Sequence, residues 1–277
     1  MNYFEITFVL DPLLPAREVL IAELAEYPFE SFAETSNGLK AYIPENAFDK
    51  AYLEDLMVRN MPEQKVALEV ILIEDENWNA KWESNFDPIW VTDQMIIRAP
   101  FHAQPSGVKY DILIEPKMSF GTGHHATTFL VAKAMLEMNW QGKCVLDMGA
   151  GTGVLGILAQ KMGASEVDAI DIDEWAFENM KENNERNGTS MSMHMGGAEL
   201  LESAPKYDVI LANINRNILT RDMTYYAQTL KSGALIMFSG FYVQDEQDIK
   251  DAAADCGLEF SHSSAKEQWA MMVFLKR

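Results

Sequence analysis

Val145-Leu146-Asp147-Met148-Gly149-Ala150-Gly151-Thr152-Gly153-Val154-Leu155-Gly156 is the stretch on which the fold of this 277-residue chain turns. An apolar run ends beside an acid, three alternate glycines follow, and an aliphatic run begins at once. A strand feeding a glycine-rich turn and then a helix opens a nucleotide-binding α/β unit. Glycines at such a turn let backbone amides approach a ligand, and the helix N-terminus adds partial positive charge. The spacing Gly151-x-Gly153-x-x-Gly156 also satisfies the dinucleotide fingerprint, so two kinds of nucleotide compete for one loop.

On both sides of the turn, from residue 93 onward, strands alternate with helices. Short strands are expected at Met95–Ala99 and Asp111–Glu115, followed by a helix from about His125 to Met138. Further strands are expected at Cys144–Met148, Val167–Asp171, Met191–Met195, Asp208–Asn213, Ala234–Ser239, Glu259–Ser263 and Ala270–Leu275. Helices should fill the first five gaps between these seven, as at Glu174–Arg186 and Gln244–Asp255. Such alternation implies a mostly parallel sheet with helices on both faces.

Residues 1–75 read differently. Phe4, Ile6, Phe8 and Leu10 share one face of a strand, and Pro15 can open the next helix. Asn37-Gly38 signals a hairpin, Phe48, Tyr52 and Leu56 mark a second helix over 46–60, and Val66–Ile73 is a last strand. This order is that of a small α+β, ferredoxin-like βαββαβ domain, whose expected task is substrate recognition. Residues 76–92, with Trp78, Trp82 and Phe86 at four-residue spacing, read as a linker helix, and 93–277 as the catalytic domain.

Composition narrows the classes. With 42 acidic against 22 basic side chains the net charge is −20, which disfavours direct nucleic-acid binding and suits a basic partner. No apolar run approaches a membrane span, and Met1–Glu5 lacks the basic start of a signal peptide. Cys144 and Cys256 alone exclude a disulfide framework and a four-cysteine zinc site. Neighbouring His124 and His125 do not share a face, so no metal is expected. A cytoplasmic monomer is the expectation.

The acids speak to the ligand. Asp147, at the end of its strand, is expected to point into the crevice, where it would repel a pyrophosphate. S-adenosyl-L-methionine carries an ammonium and a sulfonium, both cationic, which an acidic loop favours. Asp171 follows the glycines by about 20 residues, where a carboxylate accepts ribose hydroxyl protons, while Asp173 suits the cap of the next helix. Gly196-Gly197-Ala198-Glu199 would lie over the adenine edge, with Ala198 where an acid is often found.

A strand ending Asp-x-Gly-x-Gly-x-Gly resembles that of the class I methyltransferases. Phe120-Gly121-Thr122-Gly123-His124-His125, followed by Thr127-Thr128 and later by Ala212-Asn213-Ile214, resembles the PrmA family, bacterial methyltransferases of large-subunit ribosomal protein eleven. The chain departs from that family's pattern at Glu115-Pro116-Lys117 and at Ala126. The resemblance implies a Rossmann-like seven-stranded sheet behind a small N-terminal domain. It also implies S-adenosyl-L-methionine as cofactor, with contacts at Thr128, Gly149, Asp171 and Asn213. Asp147 and Gly151 join these as candidate cofactor residues, and Asn213 and Phe120 are the candidate catalytic pair. Asn213 would orient the amine or the methionine end, and Phe120 would cover the reacting centre. The implied reaction moves methyl groups to Lys ε-amines, and to an N-terminal α-amine, of a ribosomal protein. The rivals are a class I methyltransferase acting on another protein or a small molecule, a nicotinamide-dependent oxidoreductase and a non-catalytic S-adenosylmethionine sensor.

Overall fold

The computed structural model describes residues 2–74, 83, 85–117, 119–204 and 206–277. The chain divides into two compact units, Met1–Asn85 and Phe86–Arg277. Trp78 and Trp82 of the expected linker helix lie outside the described residues.

In the first unit, strands β1 (Tyr3–Asp11), β2 (Ser31–Thr35), β3 (Gly38–Pro44) and β4 (Lys65–Ile73) form an antiparallel sheet of order β2-β3-β1-β4. Helix α1 (Ala16–Leu24) buries Leu20 and Leu24 against Ile6 and Phe8. The single second helix expected over 46–60 is instead a short α2 (Lys50–Glu54) between two 3₁₀ turns, Glu45–Ala47 and Met57–Asn60. Asp49 causes the break. Its backbone is extended and its side chain accepts the Ala51 amide at 2.8 Å, which starts a new helix at Lys50. The apolar stripe still packs: Phe48 lies 4.2 Å from the Phe4 ring, and Tyr52 stacks on Tyr27 at 3.9 Å.

The second unit opens with β5 (Ile89–Thr92), β6 (Met95–Arg98) and β7 (Tyr110–Leu113) in a small sheet. Residues 89–92, expected to close the linker helix, are thus a strand paired with β6. Ile89 and Val91 alternate toward the apolar core, a period-two pattern that outweighs the aromatic spacing upstream. The large sheet follows: β8 (Cys144–Met148), β9 (Glu166–Asp171), β10 (Ser192–Met195), β11 (Tyr207–Asn213), β12 (Leu230–Tyr242), β13 (Leu258–Lys266) and β14 (Trp269–Lys276). Its order is β10-β9-β8-β11-β12-β14-β13. The first five of these pair in parallel, and β14 runs antiparallel to both its neighbours. The expected seven-stranded α/β sheet is therefore present.

Helices α3 (Ala126–Met135), α4 (Val154–Lys161), α5 (Glu174–Arg186), α6 (Arg216–Thr229) and α7 (Glu246–Asp255) flank it. The gap between β10 and β11, expected to hold a helix like the others, carries only a 3₁₀ turn, Ala198–Ser203. Strand alternation sorts the core into two layers. Val145 packs on one face with residues of α3 and α4, while Leu146 and Met148 pack on the other with residues of α6.

Candidate active site

The parallel strands end in one place. Met148 and Gly149 after β8, Asp171 at the tip of β9, Gly196 after β10 and Asn213 at the tip of β11 line a single cavity of about 710 Å³. β8 lies between β9 and β11, so this is the point where the chain reverses its direction of travel across the sheet, where α/β folds bind ligands.

The glycine turn is held from within. The amides of Gly149 and Ala150 both donate to the Ile170 carbonyl, Gly151 donates to Asp171 Oδ2 at 2.7 Å, Thr152 to the Phe120 carbonyl and Gly153 to the Ala150 carbonyl. These five amides are spent, so the turn does not offer them to a ligand, although the sequence reading expected amides to approach one there. Gly151 sits at φ +56°, and a methyl there would lie 2.3 Å from the Phe120 carbonyl oxygen. Its glycine character thus serves close packing of the 119–123 loop on the turn, which the Thr152 hydroxyl reinforces by donating to the Gly121 carbonyl at 2.7 Å.

Asp147 is a correction. It was expected to face the crevice, but it is buried and lies outside the cavity lining. It shares strand parity with Val145 and so points under α4, where Oδ2 accepts the Gly156 amide at 2.8 Å. A side chain at Gly156 would crowd both this oxygen, at 3.2 Å, and Met191 Sδ, at 2.7 Å. Burial pushes the Asp147 carboxyl up to about 7; the Gly156 bond opposes this and the Asp171 charge adds to it. The acids that do line the cavity are Asp171, Asp173 and Asp222, the last paired with Arg221, which lines it too.

Asp171 occupies the position expected of a ribose acceptor. Its two oxygens hold the Gly151 amide and, at 3.0 Å, the Asp173 amide, which fixes the carboxylate at the cavity wall. Asp173 caps α5 through the Ala176 amide. Beside them Ile172, 78% exposed, and Trp175, 79% exposed, give the cavity an apolar wall.

The opposite end is less complete. Asn213 donates through Nδ2 to Thr128 Oγ1 at 3.3 Å, while its Oδ1 is buried with no partner among the described residues. Such an orphaned acceptor is costly unless a ligand donor completes it. Thr128, expected as a direct cofactor contact, is fully buried and reaches the cavity through Asn213. The cap of α3 is His125, whose Nδ1 accepts the Thr127 amide at 3.3 Å and lies 2.8 Å from the Thr127 hydroxyl. Burial holds its imidazole below the usual range. Phe120 lines the cavity half exposed, with the His125 ring 5.0 Å away and Trp269 4.5 Å beyond that.

Sequence reasoning passed over the residues that hold Leu113 and Glu115 in place. Asn183 receives the Glu115 amide and donates to the Thr152 carbonyl, and Asn187 bonds the Leu113 amide and carbonyl. The signal was present: Asn179, Asn183 and Asn187 recur every four residues where α5 would otherwise show an apolar face.

Residues 14–277 match the protein family described as ribosomal protein L11 methyltransferase (PrmA). The chain is 42% identical to the ribosomal protein L11 methyltransferase of Phocaeicola vulgatus over the whole of both proteins. It is 34% identical to that of Chlorobaculum tepidum, covering 90% of this chain and 88% of that one. The crystal structure of the ribosomal protein L11 methylase from Lactobacillus delbrueckii subsp. bulgaricus superposes with a TM-score of 0.64 at 25% identity, over 69% of this chain and all of that one. On these matches and on a strand-tip cavity with spent loop amides and acidic walls, the chain belongs to the ribosomal protein L11 methyltransferase family.

Proposed function

We propose that this protein transfers methyl groups from S-adenosyl-L-methionine to nitrogen atoms of ribosomal protein L11, at Lys ε-amines and at the N-terminal α-amine. The observation that carries the reading is the buried, unpartnered side-chain oxygen of Asn213, a residue that lines the cavity at the strand tips, in a chain of this family. An acceptor without a donor, with Asp171 and Asp173 elsewhere in the cavity wall, suits a cationic ligand, and the turn's spent amides leave a dinucleotide poorly served.

The bound cofactor supplies a methyl group already activated by its sulfonium, so the protein's work is positioning and exclusion of water. Asp171 takes the ribose hydroxyls, Gly149 and Gly151 give the turn its close wall, and Asn213 orients the polar end with Thr128 behind it. Phe120 shields the reacting carbon. A lysine arrives protonated, with an ordinary pKa of about 10.4, and releases its proton to solvent as its nitrogen is desolvated beside Phe120.

Residues 1–75 recruit the substrate, the connector lets them present more than one amine, and the −20 charge draws in a basic ribosomal protein. No described helix is long and apolar enough to cross a membrane. The protein works as a cytoplasmic monomer without contacting nucleic acid directly. Incubation of the purified protein with ribosomal protein L11 and methyl-labelled cofactor, followed by mass mapping, is expected to place label on amines. Tight cofactor binding with no transfer would instead indicate a sensor.

A further inference from the structure

The base end of the cavity has an acid that the loop motif does not predict. Gly196 hangs its amide on the Asp171 carbonyl at 2.9 Å, so the 196–199 loop continues the wall on which the ribose is placed. Within that loop Ala198 offers only a buried methyl, and Glu199 folds back to accept the Gly197 amide at 2.7 Å, outside the cavity. The 3₁₀ turn that follows packs on α6. From α6, Ile218 and Asp222, one helical turn apart, line the cavity with Arg221, as do Gly196 and Gly197 of the loop. Asp222 is only 5% exposed. Arg221 takes one position on each of its oxygens, at 2.6 and 2.8 Å, while itself lying mostly in solvent. A carboxylate has about four acceptor sites and no donor, so two remain for a donor arriving through the cavity.

We propose that Asp222 reads the exocyclic amino group of the cofactor's adenine, replacing from the facing helix the acid absent at Ala198. This rests on S-adenosyl-L-methionine occupying the cavity with its ribose at Asp171. An acceptor-only group at the base edge rewards the 6-amino donor and gives nothing to a purine that lacks it.

The test compares two ligands by calorimetry: S-adenosyl-L-homocysteine and its analogue with hydrogen in place of the 6-amino group. The wild-type protein should prefer the adenine compound by about tenfold or more, as a charge-assisted hydrogen bond requires. Asp222→Ala should bring the ratio close to one and Asp222→Asn should leave it intermediate, whatever either change does to overall affinity. The asparagine variant keeps the volume and remains informative if the alanine variant folds poorly. A wild-type ratio near one, or an unchanged ratio in the variants, would overturn the assignment while leaving the cofactor in place. Failure of the wild-type protein to bind either compound would overturn the cofactor reading and the role of Asp222 with it.

Discussion

The two ends of the cavity are built on opposite plans. At the Asp171 end the carboxylate already holds two backbone amides, and four amides of the glycine turn are held by neighbouring carbonyls. At the Asn213 end a buried oxygen holds none among the described residues, and the half-exposed Phe120 lines the same cavity. The first plan fixes a nucleoside without reorganisation when it binds. The second postpones part of its hydrogen bonding until ligand and amine arrive, which is where a reaction that is mostly positioning needs its contacts to form.

The pre-built end rests on Asp147, and the largest expected effect lies there. Burial raises its carboxyl from 3.8 to about 7, so the folded protein keeps a proton that the unfolded chain has lost. The folded state therefore binds more protons between pH 4 and 7, and stability falls as pH rises through that window. Asp147→Asn keeps an acceptor for the Gly156 amide and abolishes this loss. Relative to wild type, the variant should gain up to about 4 kcal/mol between pH 4 and pH 8 in urea denaturation, at 1.36 kcal/mol for each unit of pKa. Parallel stability curves for the two proteins would show that Asp147 imposes no such cost.

Asp171 tests the same end from the ligand's side. Asp171→Ala removes a ribose acceptor and strands the Gly151 and Asp173 amides. Cofactor affinity should fall by about 1.5–3 kcal/mol, the worth of hydrogen bonds to a charged group. Calorimetry returning an unchanged affinity would remove Asp171 from the ribose site.

These two acids also show what the sequence could disclose. The seven-stranded sheet and the glycine turn were legible because strand alternation, helix periodicity and glycine spacing are local properties. Asp171 was legible because it ends its strand. Asp147 sits one residue before its strand's end, and whether such a side chain faces crevice or helix depends on which layer covers it. The interrupted α2 was hidden because Asp49 suits both an interior and a capping position. Asp222 was beyond reach, since its partner loop lies more than 20 residues away and no spacing rule joins them.

The smallest expected effect is the most diagnostic for the incomplete end. Thr128 is fully buried, and its hydroxyl meets Asn213 Nδ2 at 3.3 Å. Thr128→Val preserves the shape and removes this acceptor, at an expected cost of about 0.5–1.5 kcal/mol. If Thr128 acts by orienting Asn213, the loss should appear in kcat more than in cofactor affinity. It should also vanish in an Asn213→Ala background, because two residues serving one contact are not additive. A double-mutant cycle in kcat with equal Thr128→Val effects in both backgrounds would show instead that the threonine meets the ligand independently. The two ends would then differ less in plan than in how far each is assembled before binding.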